Sequence, residues 1–307
     1  MRWFHEGIDR LHVRLLRLLT PRAFRHGITS PPFQAHLEAV RLALPPLTTA
    51  RHYTFTADTL VGPLSAAFQI HWGPQPELPV LLYHHGIAEM PYSRTFRCIF
   101  RRRERVAAHL IAIRAPFHRS WLEVTRGMAT LSNFLAMCAV SVAVMEALRQ
   151  ALLARGAQRS LLAGSSLGGM VILLHHLVYG TADSYVPLLA GPDMAHILLA
   201  TQFRSLVTPS ILTQTAPLQT LLDFRQTFQS SDTSRVFPLL AQYDLNMLYT
   251  HHQACYAARN MPVATINRGH ITGGLACAAL RAHLLTCLAS LGQGSQAAKR
   301  QYEREPS

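Results

Sequence analysis

The sequence contains almost no lysine, and its positive charge is carried by arginine. Lys299 is the only lysine among 29 basic residues, against 16 acidic residues, so the formal net charge is +13. A cationic chain attracts nucleic acid, anionic lipid or acidic substrates. The arginines are scattered, however, without an aromatic and basic platform or zinc-finger spacing, so we expect no binding of nucleic acid.

Cysteine and charged residues are also scarce. The 5 cysteines form no closely spaced pairs, which excludes a disulfide scaffold and a cysteine-rich zinc module and favours a reducing compartment. Charged residues make up 15% of the chain and hydrophobic residues 49%, which excludes a disordered chain. A chain of 307 residues is long enough to bury a sizeable core, and we expect one large domain.

Residues 1–50 are predicted to form an N-terminal helix and a proline-rich linker that pack on this domain. Arginines interrupt every apolar run within residues 1–26, so the segment does not resemble a signal peptide. One helix face carries Phe4, Ile8, Leu11, Leu15 and Leu18, and Arg10, Arg14 and Arg17 lie opposite it. Such a face usually docks on its own domain. The alternative is peripheral contact between residues 1–26 and an anionic membrane.

Residues 51–292 are predicted to form the domain itself. Strands are expected within 53–72 and at 80–84, 109–113, 160–163, 185–189, 236–242 and 263–267, with helical segments between the later ones. This alternation is typical of βαβ units and a mostly parallel sheet. The apolar helix at 129–155 is interrupted by charge too early to span a membrane, so we expect it to be buried. Residues 195–232 are a candidate cap, and 293–307 a polar tail.

The strongest functional motif is Gly164-Ser165-Ser166-Leu167-Gly168. It lies directly between a predicted buried strand and a predicted helix, where a G-x-S-x-G turn presents a serine nucleophile. Ser166 has glycine two positions before and after it, as the tight turn requires, whereas Ser165 would place Leu167 in the crowded position. Ser166 is therefore the predicted nucleophile.

A second motif, His84-His85-Gly86-Ile87-Ala88, ends the first strong buried strand. Acyl transfer needs backbone N–H groups directed at the developing oxyanion. We expect these donors to be Leu167, which follows the nucleophile, and Ile87 in the loop after His85 and Gly86.

A serine hydroxyl also needs a base and a carboxylate that orients the base. His270 and Asp244 follow the last two predicted strands, at the sheet edge where Ser166 is expected. Asp193 is an alternative for the carboxylate. The pairs His251–His252 and His175–His176 are alternatives for the base, although such pairs are more often packed or solvated. No metal-ligand spacing stands out, so no metal is expected.

The serine turn, the His-Gly loop and the chain order Ser166, Asp244, His270 resemble the α/β-hydrolase superfamily. The resemblance covers roughly residues 53–291. It implies an α/β fold with a mostly parallel sheet of about eight strands flanked by helices, with a short helical cap. It also implies that Ser166, Asp244 and His270 form a catalytic triad, with Ile87 and Leu167 as oxyanion donors. The loop after His85 lacks the Gly-Gly run of many carboxylesterases.

The leading functional hypothesis is therefore a serine hydrolase that cleaves small-molecule carboxylic esters through an acyl-enzyme, without a cofactor. The apolar residues of the candidate cap suggest apolar or lipid-like acyl groups. An acyltransferase or thioesterase would use the same triad. A non-catalytic binding or membrane-surface protein is the alternative of another class. We expect a cytoplasmic location, with peripheral membrane contact as the further option.

Overall fold

The protein folds around one nine-stranded sheet with the strand order β1-β2-β3-β5-β4-β6-β7-β8-β9. The structure is a computed structural model and describes residues 1–101 and 106–302, with side chains to residue 291. Strands β4 to β9 pair in parallel, whereas β1, β2 and β3 are antiparallel to their neighbours. The mostly parallel sheet is confirmed. It has nine strands where about eight were expected.

The strands are β1 Arg41–Leu42, β2 His52–Asp58, β3 Leu64–His71, β4 Val80–His84, β5 His109–Arg114, β6 Ser160–Ser165, β7 Ser184–Leu188, β8 Leu239–Ala241 and β9 Ala264–Ile266. The helices before β7 are α1 Arg2–Leu19, α2 Phe33–Glu38, α3 Arg94–Ile99, α4 Trp121–Gly127, α5 Leu131–Leu153 and α6 Leu167–Val178. Those after it are α7 Met194–Ala200, α8 Ala216–Leu222, α9 Arg225–Ser230, α10 Tyr249–Ala257, α11 His270–Gly274 and α12 Cys277–Tyr302.

The centre of the sheet is buried on both faces. Every residue of β4 and β6 is buried, as expected for parallel strands covered by helices on both sides. By its length and composition alone, helix α5 could cross a membrane. However, 78% of its most apolar window is buried inside the protein. It is a core helix, as its sequence predicted.

The segment predicted as a linker contributes structure of its own. Helix α2 lies within it, and β1 pairs with β2 to extend the sheet by one short strand. The prediction missed both because each is short and the proline pairs around them are typical of loops. The predicted tail, 293–307, lies outside the described side chains, although the backbone of α12 runs to Tyr302.

Helix α1 packs on the domain by a different face from the one expected. His5, Asp9 and Val13 are the residues of α1 that are buried. The predicted apolar face instead lies in solvent, with Leu11 exposed by 56% and Leu18 by 80%. The periodicity correctly identified the apolar face. The helix packs on the domain as expected, but by a polar face, because the domain offers α1 polar partners.

A helical insertion separates β7 from β8, where the cap was expected. It contains α7, two short 3-10 helices at Gln202–Leu206 and Pro209–Thr213, and helices α8 and α9. Met194, Ala195 and Ile197 of α7 are buried in the main core. The insertion is therefore packed firmly onto the domain at this end.

One disulfide corrects the expectation drawn from cysteine spacing. Cys98 on α3 is bonded to Cys277 at the start of α12, 179 residues later in the chain. Sequence spacing could not reveal this pair, because only the fold brings the two helices together. Disulfides persist mainly in oxidising compartments, so the cysteines give no support to the expected reducing compartment.

Loss of this disulfide is predicted to lower the free energy of unfolding by about 2–4 kcal/mol, because the bond restricts a long loop of the unfolded chain. Thermal unfolding of the wild type with and without reductant measures this effect. A Cys98→Ser/Cys277→Ser variant serves as the control, since its melting temperature should not respond to reductant. An equal response of both proteins would contradict the prediction.

Candidate active site

Ser166 occupies a strained turn between β6 and α6. Its backbone has φ 53° and ψ −115°, a conformation that costs free energy for a residue with a side chain. A Cβ on Gly164 would lie 2.4 Å from the Gly168 carbonyl group, and one on Gly168 would lie 2.1 Å from the carbonyl oxygen of His84. Both glycines are therefore required by close backbone approach, as the motif predicted.

The three residues predicted from chain order lie together at one edge of the sheet. Nε2 of His270 is 3.0 Å from Oγ of Ser166, and its Nδ1 is 2.7 Å from Oδ2 of Asp244. The backbone N–H groups of Asn246 and Met247 donate to Oδ1 of the same carboxylate, both at 2.7 Å. Asp244 is thus held in one orientation, and a hydrogen-bonded chain connects it through the imidazole to the hydroxyl.

Burial and charge act in opposite directions on the imidazole. Burial alone lowers the pKa of His270, but the charge and hydrogen bond of Asp244, with a further contribution from the charge of Asp9, raise it above its ordinary value of 6.5. Burial is also the main reason that the pKa of Asp244 is raised above its ordinary value. The pair therefore favours an imidazole that accepts a proton readily.

The loop after β4 lies beside the serine turn because of strand register. His84 pairs with Gly164 across β4 and β6, so the two loops leave neighbouring strand ends. Nε2 of His85 accepts from the N–H of Ala115 at 3.0 Å, so its Nδ1 carries the proton and donates to the Gly86 carbonyl at 2.8 Å. These two hydrogen bonds of His85 fix the conformation of the loop after β4. Ile87 and Leu167 line one pocket with Ser166.

Comparison with solved structures gives the same arrangement of strands and helices. The esterase Est1E from Butyrivibrio proteoclasticus, bound to ferulic acid, is 15% identical, with a TM-score of 0.54 over 74% of this chain and 96% of its own. The chain has the α/β-hydrolase fold. A thermostable carboxyl esterase from Bacillus coagulans is 10% identical, with a TM-score of 0.54 over 78% of this chain and 100% of its own.

A third structure with the α/β-hydrolase fold is the esterase Pf2001 of Pyrococcus furiosus. It is 12% identical, with a TM-score of 0.54 over 81% of this chain and 98% of its own. No protein-family model and no curated protein sequence matches the chain. At such low identity the likeness establishes the fold, and the activity has to be argued from the site itself.

Two pockets meet at Ser166 in this α/β-hydrolase fold. The larger, about 140 Å³, is lined almost entirely by apolar side chains from α1, α4, α6, α7 and the loop after β4. The smaller, about 80 Å³, contains His270 and also the polar side chains of His12 and Arg94. Ser166 and Ile87 belong to both pockets. A ligand bound at Ser166 would thus have one apolar side and one more polar side.

Glu89 is a buried carboxylate that the sequence analysis missed. Its Oε1 accepts from the N–H of Gly86 at 2.9 Å and from the hydroxyl of Ser165 at 2.8 Å, and its Oε2 accepts from the N–H of Thr95 at 3.2 Å. It therefore ties the loop after β4 to the serine turn. Ser165 is buried and held by Glu89, which agrees with the choice of Ser166 over Ser165.

The alternative acid and bases have other partners. Oδ2 of Asp193 lies 2.9 Å from Nε2 of His251 and 3.1 Å from Nε of Arg225, and its Oδ1 caps the start of α7. His175 lies between Glu146 and Tyr185, with distances of 3.1 and 3.2 Å. His176 lies 3.3 Å from the hydroxyl of Ser231. The structure brings none of these groups to Ser166.

One group of side chains in the described part of the chain could hold a metal ion. Donor atoms of His251, His252 and Cys255 lie within 4.8 Å of one another. His252 is fully buried, neither ring nitrogen has a hydrogen-bond partner among the described residues, and burial lowers its pKa to about 3. A neutral imidazole is the form that binds metals. The expectation that the protein needs no metal therefore stays a prediction.

Asp9 of helix α1 joins the two loops that carry the acid and the base. It is fully buried. Its Oδ2 accepts from the N–H groups of His270 at 2.8 Å and Leu245 at 3.2 Å, and its Oδ1 accepts from the N–H of Ile271 at 3.0 Å. A Cβ on Gly269 would lie 2.8 Å from Oδ2, so glycine is needed there for the carboxylate to approach. Asp9 is a positioning residue for His270.

No local motif marks Asp9, because its partners lie more than 230 residues further along the chain. The position of Asp9 in the sequence nevertheless gave a weak indication that it is not an ordinary surface residue. An aspartate in the middle of a predicted helix, on the side away from the apolar face, is usually solvated. Here it is the residue through which the helix is attached.

An Asp9→Asn variant is predicted to unfold more easily, by about 1–3 kcal/mol, because an amide accepts the three N–H groups less well than a carboxylate. The pKa of His270 should also fall, since the charge of Asp9 raises it. Thermal unfolding and NMR titration of the His270 ring measure the two effects. Glu6→Gln is the matched control, because it removes a charge on the same helix that bridges Arg2 and Arg10. An unchanged His270 pKa in Asp9→Asn would refute the charge argument.

Proposed function

We propose that the protein is a serine hydrolase that cleaves carboxylic esters with an apolar acyl group. The observation that carries this proposal is the hydrogen-bonded chain from Asp244 through His270 to Ser166, which lines an apolar pocket. A serine in this arrangement is activated by its histidine neighbour. The esterases that share the fold support the same reaction type.

The reaction begins with transfer of the Ser166 proton to Nε2 of His270 as Oγ attacks the ester carbonyl carbon. The N–H groups of Ile87 and Leu167 would stabilise the oxyanion of the tetrahedral intermediate. The intermediate collapses as His270 gives its proton to the departing alcohol, which leaves an acyl group on Oγ. Water, deprotonated by His270, then releases the carboxylic acid and restores the serine. Asp244 accepts a hydrogen bond from Nδ1 and stabilises the imidazolium throughout.

The positions of the two pockets indicate how the ester would bind. The departing alcohol has to receive its proton from His270, so it belongs in the smaller pocket that contains this residue. The acyl group then lies in the larger pocket, among Met170, Ile197 and Phe203. Since apolar surface leaves water on binding, longer acyl chains should bind more tightly until the pocket is filled.

Substitution of Ser166 tests the nucleophile. A Ser166→Ala variant should lose labelling by a fluorophosphonate probe, and its kcat on a p-nitrophenyl ester should fall by about 10⁴- to 10⁶-fold. Ser165→Ala is the matched control, since it removes the neighbouring hydroxyl but leaves the nucleophile, and it should still be labelled. The proposal fails if folded wild type is not labelled, or if Ser166→Ala keeps full activity.

The pH dependence of kcat/KM tests the base. His270 accepts a proton only in its neutral form, so activity should rise as the pH increases through its pKa. Because the pKa of His270 is raised above 6.5, the midpoint of this rise should lie above that value. A series of buffers at constant ionic strength measures the profile. A profile that is flat from pH 5 to 9, or a midpoint well below 6.5, would argue against this base.

A further inference from the structure

The apolar face of α1 is largely exposed in the part of the chain that the structure describes. Phe4, Leu11 and Leu15 are exposed by 51%, 56% and 46%, and Leu18 by 80%. We call this face, comprising Phe4, Ile8, Leu11, Leu15 and Leu18, the apolar stripe. A single exposed leucine needs no explanation, but an aligned set on one helix face marks an interaction site.

The orientation of α1 is the reverse of the one expected for a surface helix of a protein that is surrounded only by water. Burial of large apolar side chains stabilises a fold, so such a helix would turn its leucines inward. Here the face towards the domain carries His5 and Asp9. The carboxylate of Asp9 accepts from the backbone N–H groups of His270 and Ile271, and the ring of His5 is hydrogen-bonded to the hydroxyl of Thr272. These contacts fix the orientation of α1. The stripe is therefore held outward by strong polar contacts.

The end of α1 contributes to the apolar pocket at Ser166. Leu16, Thr20 and Pro21 line that pocket, and Trp121 of α4 lines it as well. Trp121 is exposed by 45% and Leu122 next to it by 63%. The helix that carries the stripe thus also lines the pocket that contains Ser166.

Basic residues flank this surface. Arg14 and Arg17 on α1 are exposed, as is Arg126 on α4. The guanidinium group of Arg25 donates to the carbonyl of Thr125 at 3.3 Å, which places a further arginine against α4. Arginines at the edge of an apolar surface bind lipid phosphates while their neighbours enter the bilayer.

We propose that the apolar stripe, together with Trp121 and Leu122, binds the surface of an anionic lipid bilayer, and that ester substrates reach Ser166 from the lipid through the apolar pocket. The second half of this statement rests on the proposed function, whereas the first does not. An amphipathic helix with a basic edge binds in this way, with its apolar face in the region between headgroups and acyl chains.

The charge of the surface favours lipid over a second copy of the chain. A twofold contact places the same patch against itself, so the flanking arginines of two copies would lie close together. The one acidic side chain on this part of α1 other than Asp9 is Glu6, and it already pairs with Arg2 and Arg10. An anionic bilayer supplies the negative charge that a second copy lacks.

Vesicle binding by the full-length protein tests the proposal. Wild type should sediment with vesicles of phosphatidylcholine and phosphatidylglycerol, more weakly at high salt, and less with vesicles of phosphatidylcholine alone. The variant Leu11→Gln/Leu15→Gln/Leu18→Gln should bind about 10²-fold more weakly, since three inserted side chains are lost. These side chains are exposed, so the melting temperature should be retained.

Leu60→Gln is the matched control, because Leu60 is also an exposed leucine, at 52%, but lies outside the stripe. It should bind vesicles as wild type does. The proposal is overturned if wild type does not bind anionic vesicles, or if the stripe variant binds as tightly as wild type. It is also overturned if light scattering shows a wild-type dimer that the stripe variant dissociates, with no vesicle binding by either.

Activity measured beside binding separates this proposal from the proposed function. The stripe variant should hydrolyse a short water-soluble ester at the wild-type rate but lose at least about tenfold on an ester presented in anionic vesicles. An equal loss of activity on both substrates would overturn the proposal that substrate is delivered from the lipid. If the protein binds vesicles but is not labelled by a fluorophosphonate, the proposed hydrolase function is refuted and the proposed lipid-binding surface is retained.

Discussion

The carboxylate of Asp9 is the contact on which the arrangement of this protein depends. It satisfies three backbone N–H groups in the loops that carry Asp244 and His270, and it is fully buried. A buried carboxylate is stable only when such donors surround it. The contact therefore fixes two things at once: the position of the imidazole relative to Ser166, and the rotation of α1 about its own axis. That rotation leaves the apolar stripe in solvent.

The grouping of Ser166, Asp244 and His270 at one sheet edge could be predicted because each signal is local. The G-x-S-x-G turn needs glycine where backbones approach closely, and the distances at Gly164 and Gly168 show why. Parallel strands end at a common edge, so residues that follow them meet there. Asp244 and His270 could thus be chosen from their places after β8 and β9, respectively, and the choice over Asp193 agrees with the contacts found.

The supports of the site could not be predicted, because they depend on the fold as a whole. Glu89 and Asp9 look like ordinary polar residues of a loop and a helix, and Cys98 and Cys277 are 179 residues apart. The face by which α1 packs could not be predicted for a related reason. Periodicity identifies which side chains share a face, but which face meets the domain depends on partners elsewhere in the chain.

The attachment of α1 also bears on when the contact between Asp9 and His270 can form during synthesis of the chain. The first helix leaves the ribosome long before its partner, since Asp9 and His270 are separated by 261 residues. Synthesis is directional, and N-terminal segments are available for folding first. Asp9 therefore cannot hold His270 in place until the segment around His270 has also emerged. Until then the serine turn is present without a positioned histidine beside it.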